Sequence, residues 1–387
     1  MLSEEAMERL SEVLVNRIEE LNAVILEEIG VAIKKIGTLT PSKAQQLAQM
    51  LKYGGSYDKI MKKLAEITNL NVKQIYEIFD EVARKNQLFA KQFYEYRQLD
   101  FIPYDQNDAL KQQVKAIADV TANNFINMTK TSAFLTLDNK GNKIFTKLSE
   151  IYQKTVDEAV LNVVQGKEAY TTAMRKTMRE LAQNGIRTVD YASGYSRRLD
   201  SSVRQNLLEG MRTLTNQMQE NFGKEFDADG VEISVHEHPA EDHEDLQGKQ
   251  YSNEEFEELN NSLERPISTL NCYHYIFSIV LGVSKPQYSE EQLQKLREDN
   301  EKGFTFEGKH FTLYEGTQLQ RTIETNIRTL KDRQIGARAM GDIDEVAKCQ
   351  RKIRLLTSKY NDLAQVSGLR TKRDRLVVSG YRRVSTN

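Results

Sequence analysis

The chain has 387 residues, 39% of them hydrophobic and 28% charged, with a formal net charge of −2. That length supports two or three domains with real cores, while the near-balanced charge excludes a whole-chain attraction to nucleic acid or membrane, so any such contact must be local. Two cysteines exclude a disulfide framework and fit a reducing compartment.

From Glu4 to Lys35, apolar residues at Met7, Leu10, Leu14, Ile18, Leu21, Ile25 and Ile29 draw one stripe along a helix, with Lys and Glu opposite. The acidic start lacks a secretory signal and no apolar run is long enough for a bilayer, which predicts a soluble protein made in the cytoplasm. Thr40-Pro41 reads as the cap and first turn of a second helix that Gly54-Gly55 ends. Helices over about Tyr57 to Thr68 and Val72 to Lys85, with a turn at Asn69 to Asn71, complete a bundle. An aromatic-rich helix from Gln87 then breaks near Pro103, at a domain joint.

Helices are expected from Ala109 to Leu135, closed by the turn Asp138 to Gly141, and from Ile144 to Val164. Another is capped by Asn184-Gly185, and one starting at Asp200-Ser201 runs to about Asn221. Strand alternation enters at "GVEISVHEH", with Val231, Ile233 and Val235 on one face and Glu232, Ser234 and His236 on the other. An acidic loop, a short helix and a buried stretch from Ser268 to Val283 follow. After a capped helix from Ser289, "FTFEGKHFTLYEG" reads as a hairpin or extended connector, and a long helical pair leads to a basic end. The fold class is mainly α, an elongated multi-helix protein with a small α+β central core. Its divisions are an N-terminal bundle (1–105), a central region holding that core (106–288) and a C-terminal helical region with a basic tail (289–387).

The densest reactive set is His236, His238, His243, Cys272 and His274. Cys272-x-His274 points both side chains to one face of an extended segment, which suits a zinc corner with His238 and His243, a Cys/His nucleophilic pair or a packed wall around a buried thiol. The wall, with no cofactor and no catalysis, is the preferred reading. The carboxylates around His243 and from Glu254 to Glu258 read as a solvated face, and no phosphate-cradling motif is present. At the far end Arg370, Lys372, Arg373, Arg375, Arg382 and Arg383 oppose only Asp374, a candidate DNA contact, with a solvated tail or a contact with an acidic protein partner as the alternative.

Three stretches together resemble one family, the phage minor capsid protein 2 family, related to Mu-type head morphogenesis proteins at the portal. "NCYHYIFSIVLGVSKPQYSEEQLQKL" carries Asn271, Cys272 and His274, with Tyr273 where the family has arginine. "HPAEDHEDLQGKQYS" carries His243, Gln247, Gly248 and Lys249, with His238 and Asp242 replacing arginine and serine. "VDYASGYSRRLDSSVRQNLLEG" carries Asp190, Tyr191, Ser193, Gly194 and Arg204. The resemblance implies a structural, non-enzymatic minor capsid protein inside a tailed-phage virion, made in the host cytoplasm. It would be bound to the portal protein during procapsid assembly, with the major capsid or scaffolding protein and packaged DNA as further partners. The residue-level alternative is a metal-assisted hydrolase built on the His/Cys cluster.

Overall fold

The apolar stripe of the first helix runs through the middle of the molecule. In the computed structural model, residues 4–383 are described except 41, 46, 48–54, 97, 139–141, 165–166, 191–192 and 270–271. Helix α1 (Glu4–Ile36) is packed by α2 (Gly55–Tyr96), α4 (Leu148–Val164), α5 (Lys167–Asn184), α6 (Leu199–Glu225) and α10 (Leu313–Met340). Leu14, Leu21, Ile25, Leu26, Ile29 and Ile36 are buried along it, because a stripe met on several sides widens until little of the helix is left to solvent. The larger apolar core extends from Met7 to Val378, and a smaller one gathers Phe304, Ile323, Ile327, Tyr360 and Leu363 between α10 and α11 (Ile343–Ser367). The protein is mainly α with small antiparallel sheets.

Several expected boundaries move. The helix expected from Pro41 to Gly54 lies largely outside the described residues; 42–45 are helical. No turn occurs at Asn69 to Asn71, since α2 is continuous: the Asn71 side chain is buried, donates to the Leu14 carbonyl (3.4 Å) and accepts from Arg17 (3.0 Å), so it bonds to α1 rather than to its own backbone. The aromatic stretch is the end of that same helix, where Tyr94 meets Phe101, Phe222 and Phe226 edge-on. Gln87 Nε2 donates to the Ile102 carbonyl (2.6 Å), tying back the loop that precedes α3 (Asp108–Lys130).

The helices expected to span 109–135 and 144–164 give up their facing ends to strands β1 (Ser132–Leu137) and β2 (Lys143–Lys147). Pairing with β2 and with the later strand over 187–189, together with the Thr136–Thr146 hydroxyl pair at 2.7 Å, favours the ladder over a helix. The Asp138 turn thus joins two strands, and its residues 139–141 lie outside the description. Helix α6 starts two residues early, at Leu199, which puts Asp200 inside the first turn, buried, instead of at the cap. β3 (Arg187–Val189) and β4 (Ser196–Arg198) join β1 in the order β2-β1-β3-β4.

The second sheet, order β6-β5-β7, is built from β5 (Gly230–Ile233), β6 (Gln250–Ser252) and β7 (Ile276–Ile279). β5 is central and buried on both faces, so Glu232 is covered as well as Val231 and Ile233; its carboxylate accepts from Gln250 Nε2 (2.8 Å) and from the Gln287 backbone (3.0 Å). Val235 falls beyond the strand. Helix α6 packs on β7 and α8 (Asn253–Ser262) on β5 and β6, α7 (Glu241–Glu244) and α9 (Glu290–Lys302) belong to the adjoining chain, and β8 (Phe304–Phe306) with β9 (Lys309–Phe311) settles the connector as a hairpin.

Candidate functional site

The second sheet brings two of the sequence motifs together. His243 sits on the single turn of α7, and Cys272 and His274 lie on the extended segment entering β7. Their donor atoms lie within 4.8 Å of one another, and all three side chains are buried, at 4%, 8% and 3% exposure. Cys272 Sγ is 3.5 Å from His243 Nδ1 and 3.3 Å from His274 Nδ1. His238 is not part of this group; its backbone N–H donates to His236 Nδ1 (3.1 Å). Asn271 lies outside the described residues.

The outer bonds fix both rings. Gln247 Oε1 accepts the backbone N–H of His236 (2.8 Å), which identifies that atom as the amide oxygen, so His274 Nε2 at 3.0 Å must be the donor. His243 Nε2 at 2.7 Å from the Arg265 carbonyl must likewise donate. Both Nδ1 atoms therefore aim lone pairs at one sulfur, and a thiol has a single proton to share between them. Burial pushes the Cys272 thiol up, but hydrogen bonds from His243 and His274 outweigh it and hold it down to about 5. The sulfur beside His243 raises that imidazole above its ordinary value against its own burial. Cys349 is the contrast: burial and Glu345 push its thiol up to about 11.

The flanking motif residues hold this arrangement. Gly248 has a positive φ of 71°, its N–H donates to the Ile233 carbonyl (2.8 Å), and a Cβ there would lie 2.5 Å from Leu293. Lys249 is exposed, and its carbonyl accepts from Ile233. Asp242 is paired with Arg265, whose carbonyl serves His243. Tyr273 stacks on His236 at 5.3 Å, lies under the Arg212 guanidinium and reaches Glu8 on α1 at 3.4 Å. Most other acids of this region are exposed, as the solvated-face reading expects.

The third motif lies elsewhere, as the β3–β4 hairpin turn. Ser193 Oγ donates to the Asp190 carboxylate (2.6 Å), Gly194 N–H donates to the Asp190 carbonyl (2.9 Å), and Gly194 takes a φ of 72°; Tyr191 is outside the description. Arg204 leaves the turn entirely and grips Glu12 of α1 through two nitrogens, at 2.6 and 3.1 Å. Beside it lies a group that sequence reasoning missed. Arg328 reaches Glu19 (3.1 Å) and Asp200 (2.9 Å), and Arg198 reaches Asp200 and Asp332 (both 3.3 Å), joining α1, α6 and α10 by buried charge.

The basic ending is not a free tail. Arg375 and Lys372 both pair with Glu8, Arg375 also approaches Glu324 at 3.7 Å, and Lys372 N–H donates to the Tyr360 hydroxyl (2.8 Å). Burial pushes the Glu8 carboxyl up, but those two cations outweigh it and hold it below the usual carboxylate range. Two of the six candidate DNA contacts are thereby spent internally; Arg370, Arg373, Arg382 and Arg383 are exposed.

A family model described as phage minor capsid protein 2 matches residues 2–365, and the chain belongs to that family. It is a structural component of the phage virion by that membership. Comparison with curated proteins and with solved structures yields no match. Among the described residues no helix is long and apolar enough to cross a membrane.

Proposed function

We propose that this member of the phage minor capsid protein 2 family binds the portal protein inside the head and acts in procapsid assembly, with a role in DNA packaging or ejection. The match over residues 2–365 carries the reading. The burial of the His/Cys group supports it against the hydrolase alternative, because a scissile bond has no way to a sulfur and two rings that are at most 8% exposed. The described motif residues serve internal bonding, which suits a protein that presents a fixed shape to its neighbours.

The docking face is best sought at the end of α2. Leu88 (69% exposed), Phe93, Tyr96 (85%), Leu99 and Ile102 (54%) are each exposed over the last turns of that helix and the loop after it. Apolar residues gathered in this way on a virion component are suited to burial against a partner. Tagging the portal protein of the same phage should recover the chain in a complex of defined stoichiometry. The double variant Leu88→Asp, Tyr96→Asp should bind roughly tenfold more weakly or worse, with unchanged melting. Absence of any complex at several salt concentrations would remove the portal reading. The major capsid and scaffolding proteins are the next partners to test in the same format.

Packaged DNA is a second partner, supported by the four exposed arginines of the ending. Changing Arg370, Arg373, Arg382 and Arg383 to Gln should flatten the salt dependence of DNA binding by about 0.9 for each phosphate no longer neutralised. Substitution is the appropriate test, because deleting the ending would also strip Arg375 and Lys372 from Glu8. An unchanged slope would dismiss the DNA role.

A further inference from the structure

Three lone-pair donors converge at the His243–Cys272–His274 group, and neutral hydrogen bonding satisfies only two of them. Each ring has its Nε2–H committed outward, to the Arg265 carbonyl and to Gln247 Oε1, so neither can turn its other nitrogen inward without losing a buried bond. What such a site calls for at its centre is a cation. Zinc is the metal that borderline-soft sulfur and imidazole donors select.

The distances fit. With Zn–S near 2.3 Å and Zn–N near 2.05 Å, a tetrahedral centre places sulfur about 3.5 Å from each nitrogen; the observed separations are 3.5 and 3.3 Å. The outward bonds have the form that supports metal-bound histidine, in which the second ring nitrogen donates to a carbonyl or amide oxygen and fixes the tautomer. We propose that His243 Nδ1, Cys272 Sγ and His274 Nδ1 form a zinc-binding centre. Binding exchanges the thiol proton for the metal and releases it to solvent. Because the ligands come from α7 and from the segment entering β7, the ion staples the acidic loop to the second sheet. Its low exposure gives it a structural task.

Metal analysis of the purified full-length protein after dialysis should find about one zinc per chain. Replacing zinc by cobalt should give the absorption of a tetrahedral site with a sulfur-to-metal charge-transfer band, lost in Cys272→Ser and kept in Cys349→Ser. Gln247→Leu leaves all three ligands and removes an outer bond, and should weaken zinc by roughly 10- to 100-fold. A folded chain that holds no zinc would overturn the proposal, as would zinc that persists unchanged in both Cys272→Ser and Gln247→Leu. Neither result bears on portal binding, which is read in a separate assay.

Discussion

Replacing Arg328 by Met should destabilise the folded chain by roughly 3–5 kcal/mol, the cost of leaving a buried charge without its partner. Arg328 is the cation shared by Glu19 and Asp200, which come from α1 and α6. Around it lie Arg198, Asp332 and Lys331, so two guanidiniums face three carboxylates at the junction of α1, α6 and α10. The burial of this group has a consequence for pH. Burial pushes Asp200 up, but Arg198 and Arg328 outweigh it and hold it at about 2. Burial instead dominates at Glu19, pushed up to about 7, and at Asp332, pushed up to about 6. Glu19 Oε2 is buried without a hydrogen-bond partner, as fits a carboxyl that keeps a proton.

A carboxyl whose folded pKa is raised favours the native state while it stays protonated. That stability is fully present below the unfolded value of about 4.3 and is lost as pH rises through about 7. Denaturant unfolding at pH 5, 6, 7 and 8 should therefore show stability falling with pH by on the order of 2 kcal/mol, and Glu19→Gln should flatten that fall. Equal slopes for the two proteins would show that Glu19 titrates normally. The Arg328 variant should be destabilised at every pH, and increasingly so as pH rises, because Glu19 then gains a buried charge with no guanidinium beside it while Asp200 keeps only Arg198.

How far this architecture was legible depends on how local its causes are. The stripe of α1, the Asn184-Gly185 cap and the long C-terminal pair are written in spacing and capping residues within one element, and they stand where expected. Cys272 and His274 could be read as sharing a face, and the family resemblance put His243 and Gln247 beside them, because residues two apart on extended chain and neighbouring loops leave few alternatives. The misreadings have non-local causes. Asn69 to Asn71 looks like a turn until Leu14 and Arg17 of another helix occupy Asn71. "SAFLTL" has apolar residues enough to continue α3, and only pairing with β2 and β3 decides for a strand. Arg198 and Arg204 stand close together in the sequence, yet their meaning comes from Glu12, Asp200 and Asp332, the first and last of which lie more than a hundred residues away along the chain. Likewise the ending reads as a solvated basic tail until Glu8 captures Arg375 and Lys372.

Deleting residues 1–36 should leave a chain that does not fold, rather than one that folds and fails to dock. An amphipathic N-terminal helix invites removal as a separable docking arm, but α1 is met by α2, α4, α5, α6 and α10. Leu14, Leu21, Ile25, Leu26, Ile29 and Ile36 alone, each at most 1% exposed, contribute roughly 9 kcal/mol at a low estimate of 1.5 kcal/mol per side chain. That is comparable with the whole stability of a typical native protein. The deletion would also take Glu12 from Arg204, Glu19 from Arg328 and Glu8 from Arg375, leaving Arg328 with Asp200 and Arg375 with the more distant Glu324. The truncated chain should therefore lose the cooperative unfolding transition seen in circular dichroism of the full chain. A truncated chain that unfolds cooperatively would refute this placement of α1. If it also lost the portal, α1 would be the docking arm after all. If the truncation unfolds as expected, its failure to bind a partner says nothing about docking, and the Leu88/Tyr96 surface variant becomes the informative experiment because it spares the buried residues of α1.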